Sequence, residues 1–376
     1  MKKLGLYIHI PFCVKKCDYC DFLSAPANQQ VQMAYMDTLQ KEMKEKAIEY
    51  KEWCVDTVFI GGGTPTSVPY ETIVRTMDTV KDVFSLCEDC EITMECNPGT
   101  VTKESLMAYR AAGINRLSIG LQSAEDDLLK KLGRIHTYDQ FLQTFEWARE
   151  AGFTNINVDL MSALPNQSLL QYEDTLKKIV ALNVEHISAY SLIVEEGTPF
   201  YKLYEVDELS LPDEETERQM YYRTEQVLKE AGYERYEISN YAKKGYPCRH
   251  NIRYWEREHY LGLGLGASSL IDNVRFKNTD WLDEYLLENK YMEKNEVQNL
   301  SENECMEEFM FLGLRMTDGV SKNKFKEIFG NFMEDVYGNT LTRLKEQELI
   351  QEEGDRIFLT KYGLDVSNRV FVEFLL

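Results

Sequence analysis

Short apolar runs rich in β-branched and aromatic residues recur about every 30 residues through the first half of the chain. They begin near Leu4, Asp56, Glu91, Ile114, Thr154 and His186. Segments with helical spacing lie between them, such as "TKESLMAYRAAG", which opens with the capping residue Thr102 and closes with Gly113. This alternation predicts an α/β fold in which six βα units form a parallel sheet, a partial (βα)6 TIM-like barrel.

The chemically distinctive residues follow the predicted strands at their carboxyl ends. A cysteine trio follows the first strand, and Gly61 to Pro65 follows the second. Glu95, Gln122 and Asp159 stand at the ends of the third, fourth and fifth strands. Because the carboxyl ends of parallel strands meet at one face of a barrel, we expect a shared pocket there.

The βα pattern stops at about residue 240. An aromatic and glycine-rich stretch, "RHNIRYWEREHYLGLGLGASS", comes next. After residue 300 there are helical segments and a two-stranded wing in "LIQEEGDRIFLTKYG". We therefore predict a barrel core over residues 1–240 and a C-terminal region over residues 241–376 that ends in a smaller α+β winged-helix-like module.

Composition narrows the class of protein. The 376 residues carry 63 acidic and 42 basic side chains, a net charge of −21, which opposes nucleic-acid binding even by a winged-helix-like module. There is neither a signal-peptide pattern nor an apolar run of about 18 residues, so we expect a cytoplasmic protein that meets a membrane only through another protein. Nine cysteines in such a compartment favour metal binding or burial over a disulfide framework.

The cysteine trio, Cys13, Cys17 and Cys20, has the spacing C-x3-C-x2-C within "HIPFCVKKCDYCDF". Three thiolates on a tight loop can hold three irons of a [4Fe-4S] cube and leave the fourth iron without a protein ligand. Two alternatives remain open at this point. The trio could join His9 in a Cys3His zinc site, or the thiols could be incidental.

The motifs "CVKKCDYC" and "GGGTP" resemble the radical S-adenosylmethionine (SAM) superfamily, and "YIHIPFC…CDYCDF" resembles its HemN/HemW branch over about the first 270 residues. The resemblance implies that Cys13, Cys17 and Cys20 ligate a [4Fe-4S] cluster and that SAM binds the remaining iron. It also implies a set of cofactor-binding residues at the same strand ends. These are Tyr7, Tyr19, Gly62, Gly63, Thr64, Glu95, Gln122, Arg134 and Asp159.

Within that set the resemblance implies different roles. The glycines would let the backbone approach SAM, and Glu95 would accept a hydrogen bond from it. Gln122, Arg134 and Asp159 match positions that contact a second SAM in HemN, and whether this chain binds a second SAM is left open. Simpler roles remain for the charged residues, since a carboxylate can cap a helix and an arginine can be a surface charge.

Two features distinguish the members of the branch. HemN, the oxygen-independent coproporphyrinogen III dehydrogenase, has a fourth cysteine where this chain has Phe22. The segment "HNIRYW" matches the H-N-x-x-Y-W motif of the HemW haem chaperones. The resemblance thus implies a protein that binds haem and passes it to an acceptor protein, with coproporphyrinogen decarboxylation as the alternative.

His250 of that segment is the candidate axial ligand of haem iron, and Cys248 is a competing thiolate ligand. A structural, hydrogen-bonded histidine is the simpler interpretation of the same residue. A third class of protein, a tRNA-modifying radical SAM enzyme, is disfavoured by the net charge.

Overall fold

The structure, a computed structural model, describes residues 1–376. The strands are β1 Lys2–Ile10, β2 Trp53–Gly62, β3 Leu86–Cys96, β4 Arg116–Gln122, β5 Ile156–Ser162, β6 His186–Ser191, β7 Glu234–Arg235, β8 Asn240–Ala242, β9 Tyr260–Leu263, β10 Ser268–Ile271, β11 Val274–Lys277, β12 Asn295–Asn299, β13 Val320–Ser321, β14 Ile350–Glu353 and β15 Arg356–Leu359. The helices are α1 Gln29–Lys46, α2 Tyr70–Val83, α3 Lys103–Ala111, α4 Asp126–Lys131, α5 Tyr138–Glu150, α6 Leu169–Ala181, α7 Pro199–Glu205, α8 Glu214–Glu230, α9 Arg249–Trp255, α10 Leu282–Tyr285, α11 Glu302–Gly313, α12 Lys322–Phe329, α13 Met333–Glu346, α14 Lys361–Asp365 and α15 Ser367–Val372.

The six predicted strands are confirmed as β1 to β6, which pair in parallel in their chain order. The sheet does not stop at these strands. β9 joins β1 in parallel, and β10, β11 and β12 extend that edge in antiparallel pairing, while β8 and β7 extend the other edge. The predicted partial (βα)6 barrel is therefore the centre of a 12-stranded mixed sheet.

The helices begin where capping residues stand in the sequence. Thr102 caps α3, because its side chain accepts a hydrogen bond from the Ser105 N–H while the Ser105 hydroxyl oxygen accepts one from the Thr102 N–H. Beyond the end of the same helix, Gly113 has a φ of +97°, a conformation that favours glycine. No helix of the chain combines the length and the apolar character that a membrane crossing requires.

The expected boundary after residue 240 falls within a single packed unit. The main hydrophobic core runs from Leu4 to Tyr291, and β8 itself spans that boundary. A separate core over residues 306–374 belongs to α11 and the elements after it. There, β13, β15 and β14 form a three-stranded antiparallel sheet, so the predicted winged-helix-like module is confirmed. The hydrophobic core therefore changes near residue 300, and the division at residue 240 stays a prediction.

A disulfide joins Cys54 of β2 to Cys87 of β3, whose Cα atoms are 5.6 Å apart. The composition favours metal binding or burial over disulfides, and this pair is an exception to that expectation. Pairing between distant cysteines depends on tertiary contacts, which the spacing of nine cysteines does not specify.

Candidate functional site

A cavity of about 490 Å³ opens at the carboxyl ends of the central parallel strands. All but two of the sequence-predicted site residues line it, and the exceptions are Tyr7 and His250. The lining members are Cys13, Cys17, Cys20, Tyr19, Gly62, Gly63, Thr64, Glu95, Gln122, Arg134 and Asp159. The expectation of a shared pocket at the strand ends is therefore confirmed.

The cysteine loop, residues 11–25, brings three free and half-buried thiols to the cavity. The Thr64 hydroxyl lies 3.5 Å from the Cys13 sulfur, and Arg134 Nη1 lies 3.7 Å from the Cys17 sulfur. Donors at these positions stabilise thiolate sulfur, whether free or bound to iron. Three thiols with adjacent donors at an open cavity fit the ligand set of a [4Fe-4S] cluster.

A Cys3His zinc site does not fit the same loop. The His9 ring is buried, with Nδ1 2.9 Å from the Tyr7 hydroxyl and Nε2 2.9 Å from the Leu23 carbonyl. Nowhere do three or more His, Cys, Asp or Glu side chains gather closely enough to hold one metal ion. A four-iron cube makes no such demand, because each cysteine ligates a different iron.

The glycine stretch after β2 supports the cysteine loop. A Cβ atom on Gly62, whose φ is +112°, would lie 2.4 Å from the His9 ring, and one on Gly63 would lie 2.6 Å from the Phe12 carbonyl oxygen. The Gly63 and Thr64 N–H groups donate to the carbonyls of Ile10 and Phe12. The sequence had linked these glycines to a ligand, but close packing within the chain is sufficient to require them.

Two carboxyl groups face the cavity from neighbouring strands. Glu95 accepts a hydrogen bond of 3.0 Å from the Gly62 N–H, and Asp159 accepts bonds from Asn157 and Ser118. Burial raises the pKa of Glu95 to about 8, and the charge of Asp159 contributes to the shift. Burial also raises the pKa of Asp159. Because ionisation is unfavourable without a compensating positive charge, the cavity favours a ligand that carries a cationic group.

The remaining predicted residues are fixed by contacts within the site. Arg134 donates to the side chain of Asn97 at 2.8 Å and to the Gly120 carbonyl, so it is not a free surface charge. Gln122 has a φ of +73°, where β4 shifts register against β5, and accepts a hydrogen bond from the Tyr190 hydroxyl. Gln122 thus lines the cavity at the point where the pairing of β4 with β5 is irregular.

His250 occupies a different place from the one expected for a haem ligand. Its side chain is 1% exposed, with Nδ1 2.9 Å from the Thr57 hydroxyl and Nε2 2.9 Å from the Tyr254 hydroxyl. An axial ligand needs a free ring nitrogen within reach of the iron, and neither nitrogen is free here. The structure therefore does not support His250 as a direct haem ligand and favours its structural interpretation.

Cys248, the competing ligand, is also enclosed. It is fully buried, its sulfur lies 3.7 Å from a carboxylate oxygen of Glu91, and burial raises its pKa to about 12. A fully buried thiol beside a carboxylate is not accessible to haem, so the structure does not support Cys248 as the ligand either.

The segment "HNIRYW" forms α9, which closes the amino-terminal end of the barrel below the cavity. Glu91 accepts hydrogen bonds from the N–H groups of Arg249 and His250. The His250 ring also stacks on Phe59, with ring centroids 5.3 Å apart, and Phe59 lines the cavity. The segment therefore supports the cavity floor from the side opposite to the cysteine loop.

Comparison with known proteins shows which families the chain resembles. Residues 7–179 match the radical SAM superfamily, and residues 300–366 match the HemN C-terminal domain. The chain is 40% identical over 98% of both chains to a Bacillus subtilis protein named heme chaperone HemW. A Lactococcus lactis protein of the same name is 36% identical over 100% of this chain and 98% of its own.

The chain belongs to the HemW family. The solved structure of Escherichia coli HemN, described as a coproporphyrinogen III oxidase and radical SAM enzyme, superposes with a TM-score of 0.87 over 100% of this chain and 90% of that chain. At 24% identity this likeness establishes the fold alone. The predicted membership of the HemN/HemW branch is thus confirmed, and the full-length relatives are HemW proteins.

Sequence reasoning missed several residues of the cavity, among them Arg116 and Asn251. Arg116 shares the inner face of β4 with Ser118, Gly120 and Gln122, at the two-residue spacing of a strand. That spacing, counted back from Gln122, was a usable signal. No comparable signal exists for Asn251, because its position depends on how α9 packs below the barrel.

Proposed function

We propose that this HemW-family chain is a cytoplasmic haem chaperone that carries a [4Fe-4S] cluster and SAM, binds haem and transfers it to an acceptor protein. The observation that supports this most strongly is the cysteine loop at the mouth of the cavity, in a chain that matches proteins named heme chaperone HemW over their full length. The net charge of −21 argues against a nucleic-acid partner.

In this proposal Cys13, Cys17 and Cys20 hold the cluster, which when bound offers one iron without a protein ligand to SAM. Thr64 and Arg134 donate toward the sulfurs and hold the loop in register. Glu95 and Asp159 face the cationic groups of SAM, and Tyr19 forms part of the wall. Each of these contributions binds or orients a ligand.

Phe22 supports haem binding over coproporphyrinogen oxidation. It stands where the dehydrogenase has a cysteine, and its side chain is 60% exposed at the rim of the cavity. Ile193, 67% exposed, and Lys15 belong to the same rim. Apolar faces beside a cation suit a porphyrin plane and its propionates, so we place the haem at this mouth instead of at His250.

The test is a haem titration of the anaerobically reconstituted protein, run beside a coproporphyrinogen turnover assay. We expect about one haem per chain and no protoporphyrinogen. Repeated turnover of coproporphyrinogen with SAM and reductant would favour the dehydrogenase instead. Absence of haem binding in protein with a full cluster would overturn the chaperone proposal.

A further inference from the structure

Arg116 is a buried arginine to which the chain supplies no partner. Its side chain is 2% exposed, its Nε has no hydrogen-bond partner, and its guanidinium forms no ion pair or hydrogen bond with the protein. The guanidinium remains charged at any pH at which the protein is folded. A buried charge without partners is unfavourable, so a partner from outside the chain is expected.

The neighbouring carboxylates do not supply that partner. Arg116 lies within electrostatic range of Glu91 and Asp159. However, Glu91 accepts hydrogen bonds from the N–H groups that begin α9, and Asp159 accepts them from Asn157 and Ser118. Their negative charges favour the ionised form of Arg116, but neither carboxylate forms a hydrogen bond or an ion pair with its guanidinium.

The unpaired guanidinium borders the deep end of the cavity. Arg116 and Gly120 share the inner face of β4, and four residues of strand separate their Cα atoms by about 13 Å. Gly120 lies at the level of Arg134 and the cysteine loop. Arg116 is therefore near the floor, well below the thiols.

Asn251 lines the same cavity, and its side-chain amide has no hydrogen-bond partner within the chain. It follows His250 in α9, and the bonds of His250 to Thr57 and Tyr254 hold that helix in place. A guanidinium and an amide together present several N–H donors, the arrangement that binds both oxygens of a carboxylate.

We propose that Arg116 and Asn251 form a carboxylate-binding subsite on the floor of the cavity. The proposal rests on the proposed function for the source of the carboxylate, which is either the amino-acid carboxylate of a SAM molecule or a propionate of haem. It gives the H-N-x-x-Y-W segment a role in the cavity, since His250 positions the helix and Asn251 contacts the ligand.

The experiment compares ligands with and without their carboxylates in anaerobic, cluster-loaded protein. Calorimetry measures SAM against decarboxylated SAM, and absorption measures haem against haem dimethyl ester. The variants are Arg116→Gln, Asn251→Asp and, as a control for charge, the exposed Arg369→Gln. Asn251→Asp keeps the test valid if Arg116→Gln does not fold, because it places a like charge beside the bound carboxylate.

We expect both floor variants to lose at least tenfold in affinity for one carboxylate-bearing ligand and less than twofold for its carboxylate-free analogue. The ligand pair that shows the loss identifies the source. Equal losses for both members of each pair, or no loss, would overturn the subsite while leaving the proposed function intact. Wild-type protein that binds neither SAM nor haem would overturn the proposed function. Transverse relaxation of acetate by NMR, faster with wild type but not with Arg116→Gln, then decides the subsite alone.

Discussion

The two ends of the barrel carry the two most distinctive motifs of the chain, and their polar groups are used differently. At the carboxyl end, the cysteine thiols and Glu95 face an open cavity with few partners. At the amino end, the buried His250 ring bonds to Thr57 and Tyr254, so both of its nitrogens are satisfied within the chain. Free polar groups are available to bind ligands, whereas satisfied polar groups hold the fold, and Asn251 is the member of "HNIRYW" that faces the cavity.

The largest expected effect lies at the mouth. Cys17→Ser should abolish the [4Fe-4S] cluster, because two thiolates and a hydroxyl do not retain the cube. Iron and sulfide analysis with Mössbauer spectra measures this. The matched control is Cys90→Ala, a buried cysteine away from the cavity, which should keep a full cluster. A normal cluster in Cys17→Ser, or stoichiometric zinc in wild type, would contradict the assignment.

The second-largest expected effect is a loss of stability at the cavity floor. His250→Ala should lower the free energy of unfolding by about 2–4 kcal/mol, because it removes the hydrogen bonds to Thr57 and Tyr254 and the ring that packs on Phe59. Denaturant titration measures the change. Unaltered stability would mean that the floor is not held by this histidine.

A smaller effect distinguishes the stability cost of a steric contact at Gly62 from the cost of backbone strain. Both Gly62 and Gly245 have positive φ, +112° and +89°, but only at Gly62 would a Cβ atom meet another group. Gly245→Ala should cost about 1 kcal/mol, and Gly62→Ala should cost about 1–3 kcal/mol more and reduce cluster content. Equal losses of stability in the two variants would show that the His9 contact is unimportant.

The smallest effect is a pH dependence at Glu95. Its pKa rises from about 4.5 to about 8 on folding, so the folded protein binds the proton more tightly. The stabilisation that comes from proton binding to Glu95 is fully present below pH 4.5, and it is lost as the pH rises to 8. Glu95→Gln should match wild type near pH 4.5 and be about 1–2 kcal/mol more stable above pH 8. Parallel stability curves for the two proteins would refute the shift.

The features that could be predicted from the sequence are those that a local residue pattern determines. Strand periodicity identified β1 to β6, and the cap at Thr102 identified the start of α3. The site residues at the strand ends could also be predicted, because parallel strands deliver their carboxyl ends to one face.

Other features depend on contacts between distant parts of the chain. His250 meets Thr57 across 193 residues, and Cys54 meets Cys87 across 33. β9 pairs with β1, which lies at the other end of the main core in the sequence, so the local pattern showed neither the extended sheet nor the start of the second core. The motif "HNIRYW" was visible in the sequence, but its burial was not.

The most direct test compares haem binding in one variant from each end of the barrel, Phe22→Ala and His250→Ala, at matched cluster content. The account predicts that Phe22→Ala weakens haem binding, while His250→Ala, although less stable, keeps the wild-type Soret band. A shifted Soret band in folded His250→Ala, with unchanged binding in Phe22→Ala, would place the haem ligand in the floor and contradict the assignment of the two ends.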